Sequence, residues 1–195
     1  MNRQRIVVAS NNAGKVREFN QLLEGSDIEI VPQSEFSVAE IEETGLTFVE
    51  NALLKARNAT QHTGLPAIAD DSGLEVDALQ GAPGIYSARY AGTKATDKEN
   101  ILKLLSSLRG VKDRQAAFMC VIAIAVPQGP ALIYEGRCDG LITGEMRGGQ
   151  GFGYDPVFCY PPLKKTFAEM TREEKNRVSH RGKAMVQLKD EFEKV

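Results

Sequence analysis

The stretch Ile6-Val-Val-Ala-Ser-Asn-Asn-Ala-Gly-Lys15 decides the fold class. Its apolar run, Ile6 to Ala9, has the length of a short buried strand and stops at a polar loop. The loop ends at Gly14-Lys15, and apolar residues at helical spacing follow, which predicts a strand, a loop and a helix. A helix N-terminus presents unpaired N–H groups and the positive end of a dipole, so this loop with its lysine is a candidate phosphate-binding site.

The loop differs from a P-loop, which requires Gly-x-x-x-x-Gly-Lys followed by Ser or Thr. Ala9 stands where the first glycine would be, and Val16 follows Lys15. A capped helix with a solvated lysine explains the segment equally well, so the loop by itself leaves both interpretations open.

Composition indicates an ordinary globular protein, with 195 residues, 42% of them hydrophobic, and a net charge of −2. The small net charge excludes a global basic field that would draw the protein to nucleic acid or to a membrane surface. No apolar run approaches the roughly 20 residues that span a bilayer. Three scattered cysteines without Cys-x-x-Cys spacing, Cys120, Cys138 and Cys159, indicate reduced thiols in a cytoplasmic protein without a zinc site.

Strand and helix signals alternate along the first half of the chain. Strands are predicted at Ile6–Ala9, Ile28–Val31 and Leu65–Ala69, and helices at Lys15–Leu23, Thr47–His62 and Asp97–Leu108. Thr47 with Glu50 three residues on predicts a capping box, and Thr96 or Asp97 is the predicted cap of the third helix.

The middle of the chain is rich in β-formers, and helical patterns return at its end. Strands are predicted at Ala116–Val126, Ala131–Gly136 and Gly140–Thr143, and helices at Thr171–Arg177 and Gly182–Lys194. The segment Pro127–Pro130 reads as a hairpin turn. This order predicts an α/β fold with a mixed β-sheet flanked by helices, as a single domain over residues 1–195 in two lobes with a cleft between them.

Two adjacent carboxylates, Asp70 and Asp71, directly follow the predicted strand Leu65–Ala69. The C-terminal ends of strands are where α/β folds place ligands, and adjacent acids are costly there unless a cation lies nearby. Mg²⁺ is the usual cation, since it binds a few carboxylates together with substrate phosphates. The pattern favours this interpretation over a solvated turn, and the pair Glu42-Glu43 becomes relevant as a second source of carboxylate for the same metal.

Two polar loops in the second half are candidates for binding a base. In Gly151-Phe-Gly-Tyr-Asp-Pro156 the glycines allow a ligand to approach the backbone, and Phe152 and Tyr154 have rings suited to stacking. A tight turn with one buried aromatic residue explains this loop equally well. Ser179-His-Arg-Gly182 offers two side chains that donate to a carbonyl oxygen or a phosphate.

Lys55 and Arg57 lie on the predicted helix Thr47–His62. Lysines on such helices are usually solvated, so we assign both residues to the surface, with a phosphate contact as the less favoured alternative.

Six motifs together resemble those of the inosine/xanthosine triphosphate pyrophosphatase family, the dITP/XTP enzymes. They occur in order from about residue 6 to the C-terminal helix: Ser10–Lys15, Glu42–Asn51, Ala69–Gly73, Gly81–Tyr90, Gly151–Asp155 and Ser179–Gly182. Six motifs at coherent spacing are specific, whereas any one of them alone is not. One mild departure is that the family's loop often has Thr and Gly where this chain has Ser10 and Asn11.

The resemblance implies an elongated two-lobed α/β fold with a deep cleft, usually as a homodimer. It implies Mg²⁺-dependent cleavage of a nucleoside triphosphate to the monophosphate and pyrophosphate. The implied substrates are dITP, ITP and XTP, non-canonical purines that are thereby removed from the nucleotide pool. No stable nucleic-acid partner and no membrane are expected.

The resemblance also implies roles for individual residues. Asp71 is implied to be the proton acceptor and, with Glu42, a metal ligand; the motifs do not decide between Glu42 and Glu43 or between Asp70 and Asp71. The phosphate-binding residues are implied to be Ser10, Asn11, Asn12, Ala13, Gly14 and Lys15. The other substrate-binding residues, mainly for the base, are implied to be Ser72, Phe152, Gly153, Tyr154, Asp155, Lys175, His180 and Arg181.

Two other classes stay open. One is a Maf-like nucleotide pyrophosphatase of similar architecture that acts on pyrimidine or modified nucleotides. The other is a non-enzymatic nucleotide or single-stranded RNA binder that uses Phe152 and Tyr154 as stacking platforms. The acidic balance and the Asp70-Asp71 pair argue against the second class.

Overall fold

The computed structural model describes residues 4–192 of the chain. Within them, seven strands are β1 Gln4–Val8, β2 Ile28–Pro32, β3 Ala67–Val76, β4 Gln115–Ala125, β5 Leu132–Ile142, β6 Phe158–Tyr160 and β7 Lys165–Thr166. The α-helices are α1 Ala13–Leu22, α2 Phe48–Thr63, α3 Asp97–Ser107, α4 Arg172–Val178 and α5 His180–Phe192.

The strands form one open, mixed sheet in the order β2-β1-β3-β4-β5-β6-β7. Strand β1 pairs in parallel with β2 and β3, whereas β6 pairs antiparallel with β5 and β7. The predicted α/β class with a mixed sheet is thereby confirmed. The prediction of two lobes with a cleft stays a prediction.

The chain divides into two compact units. The first holds the described residues up to Asp71, the segment Cys120–Glu135 and those from Ala184 on; the second holds Ser72–Met119 and Gly136–Lys183.

Both faces of the sheet are covered in the first unit. Successive side chains of a strand point to opposite faces, and accordingly Ile6 and Val8 pack in one buried cluster while Val7 packs in the other. The first cluster includes Phe19 of α1 and Met185 of α5. In the second, the buried apolar side chains that α2 contributes are all alanines, namely Ala52, Ala56 and Ala59.

The core of the second unit contains three packed phenylalanines. Phe118 of β4 lies 4.5 Å from Phe158 and 5.6 Å from Phe167, measured between ring centroids. Leu74 of β3 and Leu104 of α3 belong to the same cluster. Across residues 4–192, no helix combines the length and the apolar character needed to cross a membrane.

The prediction that β3 ends before the acidic pair is wrong. Strand β3 runs from Ala67 to Val76, so Asp70 and Asp71 lie in its middle, 2% and 6% exposed. Asp70 pairs with Lys15, and Asp71 pairs with Lys55. Because each carboxylate has a cationic partner, the pair can be buried inside a strand instead of lying at a solvated strand end.

Two other element predictions need correction, and two short strands were not predicted. The segments Ala131–Gly136 and Gly140–Thr143 belong to a single strand, β5, in which buried Cys138 alternates with exposed Arg137 and Asp139. Helix α5 begins at His180 and not at Gly182. Strands β6 and β7 were not predicted, because two or three residues are too few to show a period.

Candidate active site

The phosphate-loop candidate is ordered by its own side chains. Asn12 is the N-cap of α1, and its Oδ1 accepts from Gly14 N at 2.9 Å and Lys15 N at 3.1 Å. Ser10 Oγ accepts from Asn12 N at 3.1 Å, and Nε2 of the buried Gln33 donates to Asn11 Oδ1 at 3.2 Å. Since Gln33 occupies the oxygen of Asn11, the amide nitrogen of Asn11 faces the other way, as a donor.

Lys15 links this loop to β3. Its Nζ lies 3.2 Å from Asp70 Oδ2, whose side chain is fully buried, while the Lys15 side chain is 16% exposed. No acidic residue lies in the first turn of α1, so the helix dipole and Lys15 both present positive charge there. The arrangement suits an anion that approaches Lys15 from its exposed side.

Lys55 joins two carboxylates in the first unit. Its Nζ contacts Glu43 Oε1 at 2.6 Å and Asp71 Oδ1 at 3.1 Å, and its side chain is only 15% exposed. The assignment of Lys55 to the surface was therefore wrong, whereas Arg57 is exposed as expected. The two residues are two positions apart on α2, and the turn of the helix directs Lys55 towards β3 and Arg57 away from the core.

The surroundings of Asp71 and Lys55 shift both groups. Burial raises the pKa of Asp71 above its ordinary 3.8, Lys55 opposes that rise and the nearby Glu43 adds to it. Burial lowers the pKa of Lys55, but attraction by Asp71, Asp70 and Glu43 outweighs it, so that its pKa lies above the ordinary 10.5. A carboxyl with a raised pKa binds a proton more readily than an ordinary aspartate, which suits a general base.

The donor set of the first unit fits a magnesium ion. Asp71 Oδ1 and Glu43 Oε1 both contact the same Lys55 nitrogen, at 3.1 Å and 2.6 Å. The two carboxylates therefore lie close to each other. No group of three or more His, Cys, Asp and Glu side chains within residues 4–192 forms a complete metal site. Mg²⁺ takes one or two carboxylates and completes its shell with water and substrate phosphates, so the pair formed by Asp71 and Glu43 has the required chemistry.

In the second unit, Asp155 organises the glycine-rich loop. Its Oδ2 accepts from Phe152 N at 2.9 Å and from Lys175 Nζ at 2.8 Å, and Asp155 is 3% exposed. At Gly151, with φ +80°, an added Cβ would lie 2.0 Å from Asp155 Oδ2. Only glycine therefore lets the loop close over this carboxylate, and Oδ2 serves Lys175 and the loop.

Two cations face the Phe152 ring. Lys175 Nζ lies 4.9 Å from its centroid, and the Arg181 guanidinium carbon lies 5.9 Å from it. Arg181 is 2% exposed, and its Nη2 donates to Ser72 Oγ at 3.1 Å. These predicted residues thus form one cluster around an aromatic ring.

His180 is held in the aromatic core. Its ring stacks on Phe118 at 4.6 Å with an interplanar angle of 11°, and His180 is 5% exposed. At Gly182, an added Cβ would lie 1.8 Å from Asn176 O, so glycine allows α5 to begin against the end of α4. His180 and Arg181 consequently occupy the first turn of α5, rather than a loop before it.

Tyr154 belongs to the core rather than to a stacking surface. It is 4% exposed, and its hydroxyl donates to Ser87 O at 2.8 Å. Gly153, beside it, donates its N–H to Asp97 Oδ2 at 2.7 Å. The half-buried Phe152 is the better stacking surface, and a substrate contact by Tyr154 stays a prediction.

Two residues of the first unit's site were not predicted from the sequence. Lys55 was assigned to the surface, and Asn51, which is fully buried and donates to Asp71, received no role. The structure shows why glycine stands at position 45, because a Cβ there would lie 2.6 Å from Asn51 Oδ1. Glu42 is exposed, and its role as a metal ligand stays a prediction.

Comparison with known proteins places the chain in a family. The model of the Ham1 family matches residues 6–191. The dITP/XTP pyrophosphatase of Desulfotalea psychrophila is 57% identical over 187 residues, which are 95% of this chain and 84% of that protein. The dITP/XTP pyrophosphatase of Yersinia pestis is 56% identical over 191 residues, covering 96% of this chain and 97% of that protein.

Solved structures agree with this placement. The HAM1 protein from Coxiella burnetii superposes with a TM-score of 0.92 at 50% identity, covering 98% of this chain and all of that one. The Staphylococcus aureus Ham1 protein superposes with a TM-score of 0.89 at 44% identity, covering 97% and 98%. The chain belongs to the Ham1 family.

Proposed function

We propose that this Ham1-family protein is a nucleoside triphosphate pyrophosphatase that hydrolyses dITP and XTP to the monophosphate and pyrophosphate. The observation that carries the proposal is 53–57% identity to proteins named dITP/XTP pyrophosphatase over nearly the whole chain. The paired carboxylates and lysines of the first unit are the chemistry that such a hydrolysis requires.

We assign the phosphates to residues of the first unit. The Ser10–Lys15 loop offers the amide nitrogen of Asn11 beside the positive end of the α1 dipole, and Lys15 adds a full positive charge. Asp71, with Glu42 or Glu43, would hold Mg²⁺. When bound, Mg²⁺ neutralises charge on the phosphate oxygens and orients them.

Asp71 is the proposed proton acceptor. Asn51 and Lys55 hold its carboxylate, and we propose that it takes a proton from the water that attacks the α-phosphorus, after which pyrophosphate leaves. Lys15 stabilises the charge that develops on the leaving group. Lys55 keeps the Asp71 carboxylate in place through a 3.1 Å contact and limits electrostatic repulsion from Glu43.

We assign the base to residues of the second unit. Hypoxanthine and xanthine carry an O6 acceptor and an N1–H donor, whereas adenine reverses both. Lys175 and Arg181 are cations next to the Phe152 ring, and with His180 they supply donors suited to O6. Adenine would leave these buried donors unpaired. Such a mismatch lowers kcat/KM for the adenine nucleotide by ~10⁴-fold or more.

Pyrophosphate release from a panel of dITP, XTP, ITP, GTP, ATP and pyrimidine triphosphates, with and without Mg²⁺, tests the proposal. We expect dITP and XTP to be cleaved fastest, and cleavage to require Mg²⁺. Faster cleavage of pyrimidine triphosphates would favour the Maf-like alternative. Tight, salt-sensitive RNA binding without pyrophosphate release would favour a non-enzymatic binder.

We further propose a homodimer located in the cytoplasm. Resemblance to the family supports the dimer. Three free thiols, Cys120, Cys138 and Cys159, support a reducing compartment, because thiols stay reduced there. Light scattering coupled to gel filtration distinguishes a dimer from a monomer.

A further inference from the structure

Asn51 is completely buried in the first turn of α2, and both ends of its amide are bonded. Its Oδ1 accepts from Gly45 N at 2.8 Å, and its Nδ2 donates to Asp71 Oδ2 at 3.3 Å. Gly45 belongs to the loop that carries Glu42 and Glu43, so one side chain joins that loop to the proposed proton acceptor.

The chemistry of the partners fixes the orientation of this amide. A backbone N–H only donates, so the Asn51 atom that faces Gly45 must be the oxygen. The amide nitrogen is then directed at the carboxylate of Asp71. Rotation of the amide by half a turn would oppose two donors at Gly45 and two acceptors at Asp71, which burial makes expensive.

Gly45 is needed for this arrangement because of space, not because of its backbone angle. An added Cβ would lie 2.6 Å from Asn51 Oδ1, 2.7 Å from Glu50 Cβ and 3.0 Å from Asn51 N. The loop therefore approaches α2 as closely as a glycine permits.

We propose that Asn51 is a positioning residue for the reaction, which holds the Asp71 carboxylate and the Glu42–Gly45 loop in one fixed arrangement. The proposal rests on the proposed function, because it takes Asp71 as the reacting group. Lys55 constrains the other oxygen of Asp71, Oδ1, so Asn51 and Lys55 together fix the plane of the carboxylate. Displacement of a reacting group by about 1 Å costs on the order of 10²-fold in rate.

Asn100 provides a matched control. It is also the fourth residue of its helix, is 2% exposed, and its Oδ1 accepts from Ala91 N at 2.7 Å. Its Nδ2, however, donates to a backbone carbonyl, Ala88 O, at 3.1 Å. Substitution of either asparagine removes a buried amide of the same kind, but only Asn51 contacts a proposed reacting group.

Two substitutions separate the two bonds of Asn51. Asn51→Asp keeps an acceptor for Gly45 and replaces the donor to Asp71 by a repelling carboxylate, whereas Asn51→Leu removes both bonds. We expect kcat to fall at least ~10-fold in both variants, with KM changed less than ~3-fold. Hydrogen exchange at the Gly45 amide should accelerate in Asn51→Leu and stay slow in Asn51→Asp. Asn100→Asp and Asn100→Leu should lower the melting temperature while kcat stays within ~3-fold of the parent's.

An exchange of partners tests the contact without any activity measurement. In Asn51→Asp/Asp71→Asn the donor and the acceptor trade places, so we expect the double variant to recover most of the melting temperature that Asn51→Asp loses. That loss should be on the order of 5 °C or more, because it places two carboxylates together in a buried site.

The outcomes separate failure of the inference from failure of the proposed function. If the double variant lost as much melting temperature as both single variants together, the contact between residues 51 and 71 would be disproved. If Asn51 and Asn100 variants lost kcat equally, Asn51 would be merely structural. If Asp71→Asn alone kept full turnover, the role of Asp71 would fail, while the exchange experiment would still report on the contact.

Discussion

Helices α2 and α3 begin with the same pattern and put it to different uses. Thr47-Phe-Val-Glu-Asn51 and Thr96-Asp-Lys-Glu-Asn100 both place a threonine at the N-cap, a glutamate three residues later and a buried asparagine next. In each helix the asparagine Oδ1 accepts a backbone N–H from the preceding segment. The donor end of the amide meets the Asp71 carboxylate in one case and the Ala88 carbonyl in the other.

The difference shows that a local motif secures a loop, while its surroundings determine whether it contributes to chemistry. The lysines that follow repeat the contrast. Lys55 contacts two carboxylates, whereas Lys103 contacts Tyr90 O and lies 4.4 Å from the Tyr90 ring centroid. A helix start becomes part of a site when buried, ionisable groups face it from another element.

The largest expected effect separates the carboxylates next to the two helices. Asp71→Asn keeps the shape of the side chain but removes the proton acceptor, so we expect turnover to fall by at least ~10²-fold with the fold intact. In Asp97→Asn, at the start of α3, the amide oxygen still accepts from Gly153 N, and turnover should stay within a few-fold. Steady-state pyrophosphate release measures both. Near-normal turnover in Asp71→Asn would exclude it as the base.

The second-largest expected effect is a difference in stability between variants of Lys55 in α2 and Lys103 in α3. Lys55→Met leaves Asp71 and Glu43 in a largely buried place without their shared cation, which we expect to lower the free energy of unfolding by about 3 kcal/mol at pH 7. Lys103→Met removes an exposed contact with a carbonyl, and it should cost less than about 1 kcal/mol. Urea unfolding at neutral pH provides both values. Equal losses would mean that the carboxylate cluster adds nothing.

The raised pKa of Lys55 predicts that the stability contributed by this residue depends on pH. The pKa of Lys55 is raised above 10.5 in the folded protein, so its contribution to stability is complete below pH 10.5 and is lost as the pH rises through the folded pKa. The difference in stability between the parent and Lys55→Met should therefore shrink above that pH. A difference that stayed constant up to pH 12 would contradict the assigned surroundings of Lys55.

Base choice should depend on the second unit and not on the first. Removing a donor in Arg181→Ala or His180→Ala should reduce the ratio of kcat/KM for ITP over ATP. The reduction should correspond to a free-energy difference of ~1–3 kcal/mol, the value of one or two hydrogen bonds. Lys15→Ala should weaken triphosphate binding and slow turnover while leaving that ratio unchanged. Melting temperatures identify variants that fail to fold. An unchanged ratio in both second-unit variants would place the base elsewhere.

The smallest effect should come from the caps that the two helices share. Thr47→Ala and Thr96→Ala each remove an N-cap acceptor, for a loss of ~1 kcal/mol. We expect Thr96→Ala to cost more, because Thr96 Oγ1 also donates to Glu99 Oε2 at 2.8 Å. In α2, Glu50 Oε2 instead accepts from Leu46 N at 2.6 Å, so the predicted capping box is only half formed there. Thermal unfolding of both variants provides the comparison.

The sequence predicted the elements well where a period was long enough to read. The bounds of α2 and α3 were predicted to within a residue, because caps and apolar spacing agree in both. Strand β5 was predicted as two strands, because charged Arg137 and Asp139 interrupt the apolar run. In the structure these two residues are on the exposed face of one continuous strand, whose other face is buried. The end of β3 was placed too early because two adjacent aspartates are typical of solvent.

Motifs alone selected the residue types of the site: a capped, lysine-bearing helix start, two acidic pairs, a glycine-bounded loop and a His-Arg pair. Those are properties of neighbours along the chain, so sequence determines them. Which partner each side chain meets was decided by tertiary structure. Lys15 meets Asp70, Lys55 meets Asp71 and Asn51 meets both Gly45 and Asp71, across separations of 55, 16, 6 and 20 residues in the chain, as the residue numbers give.

The physical reason is that solvation depends on packing rather than on residue type. A lysine or an aspartate is cheap to place in water and costly to bury, and local sequence predicts the first case for both. Once the sheet and α2 enclose Asp70, Asp71 and Lys55, only ion pairs and hydrogen bonds offset the cost. The sequence by itself thus determined the elements and the reactive groups; burial, which only the tertiary structure creates, decided which groups became partners.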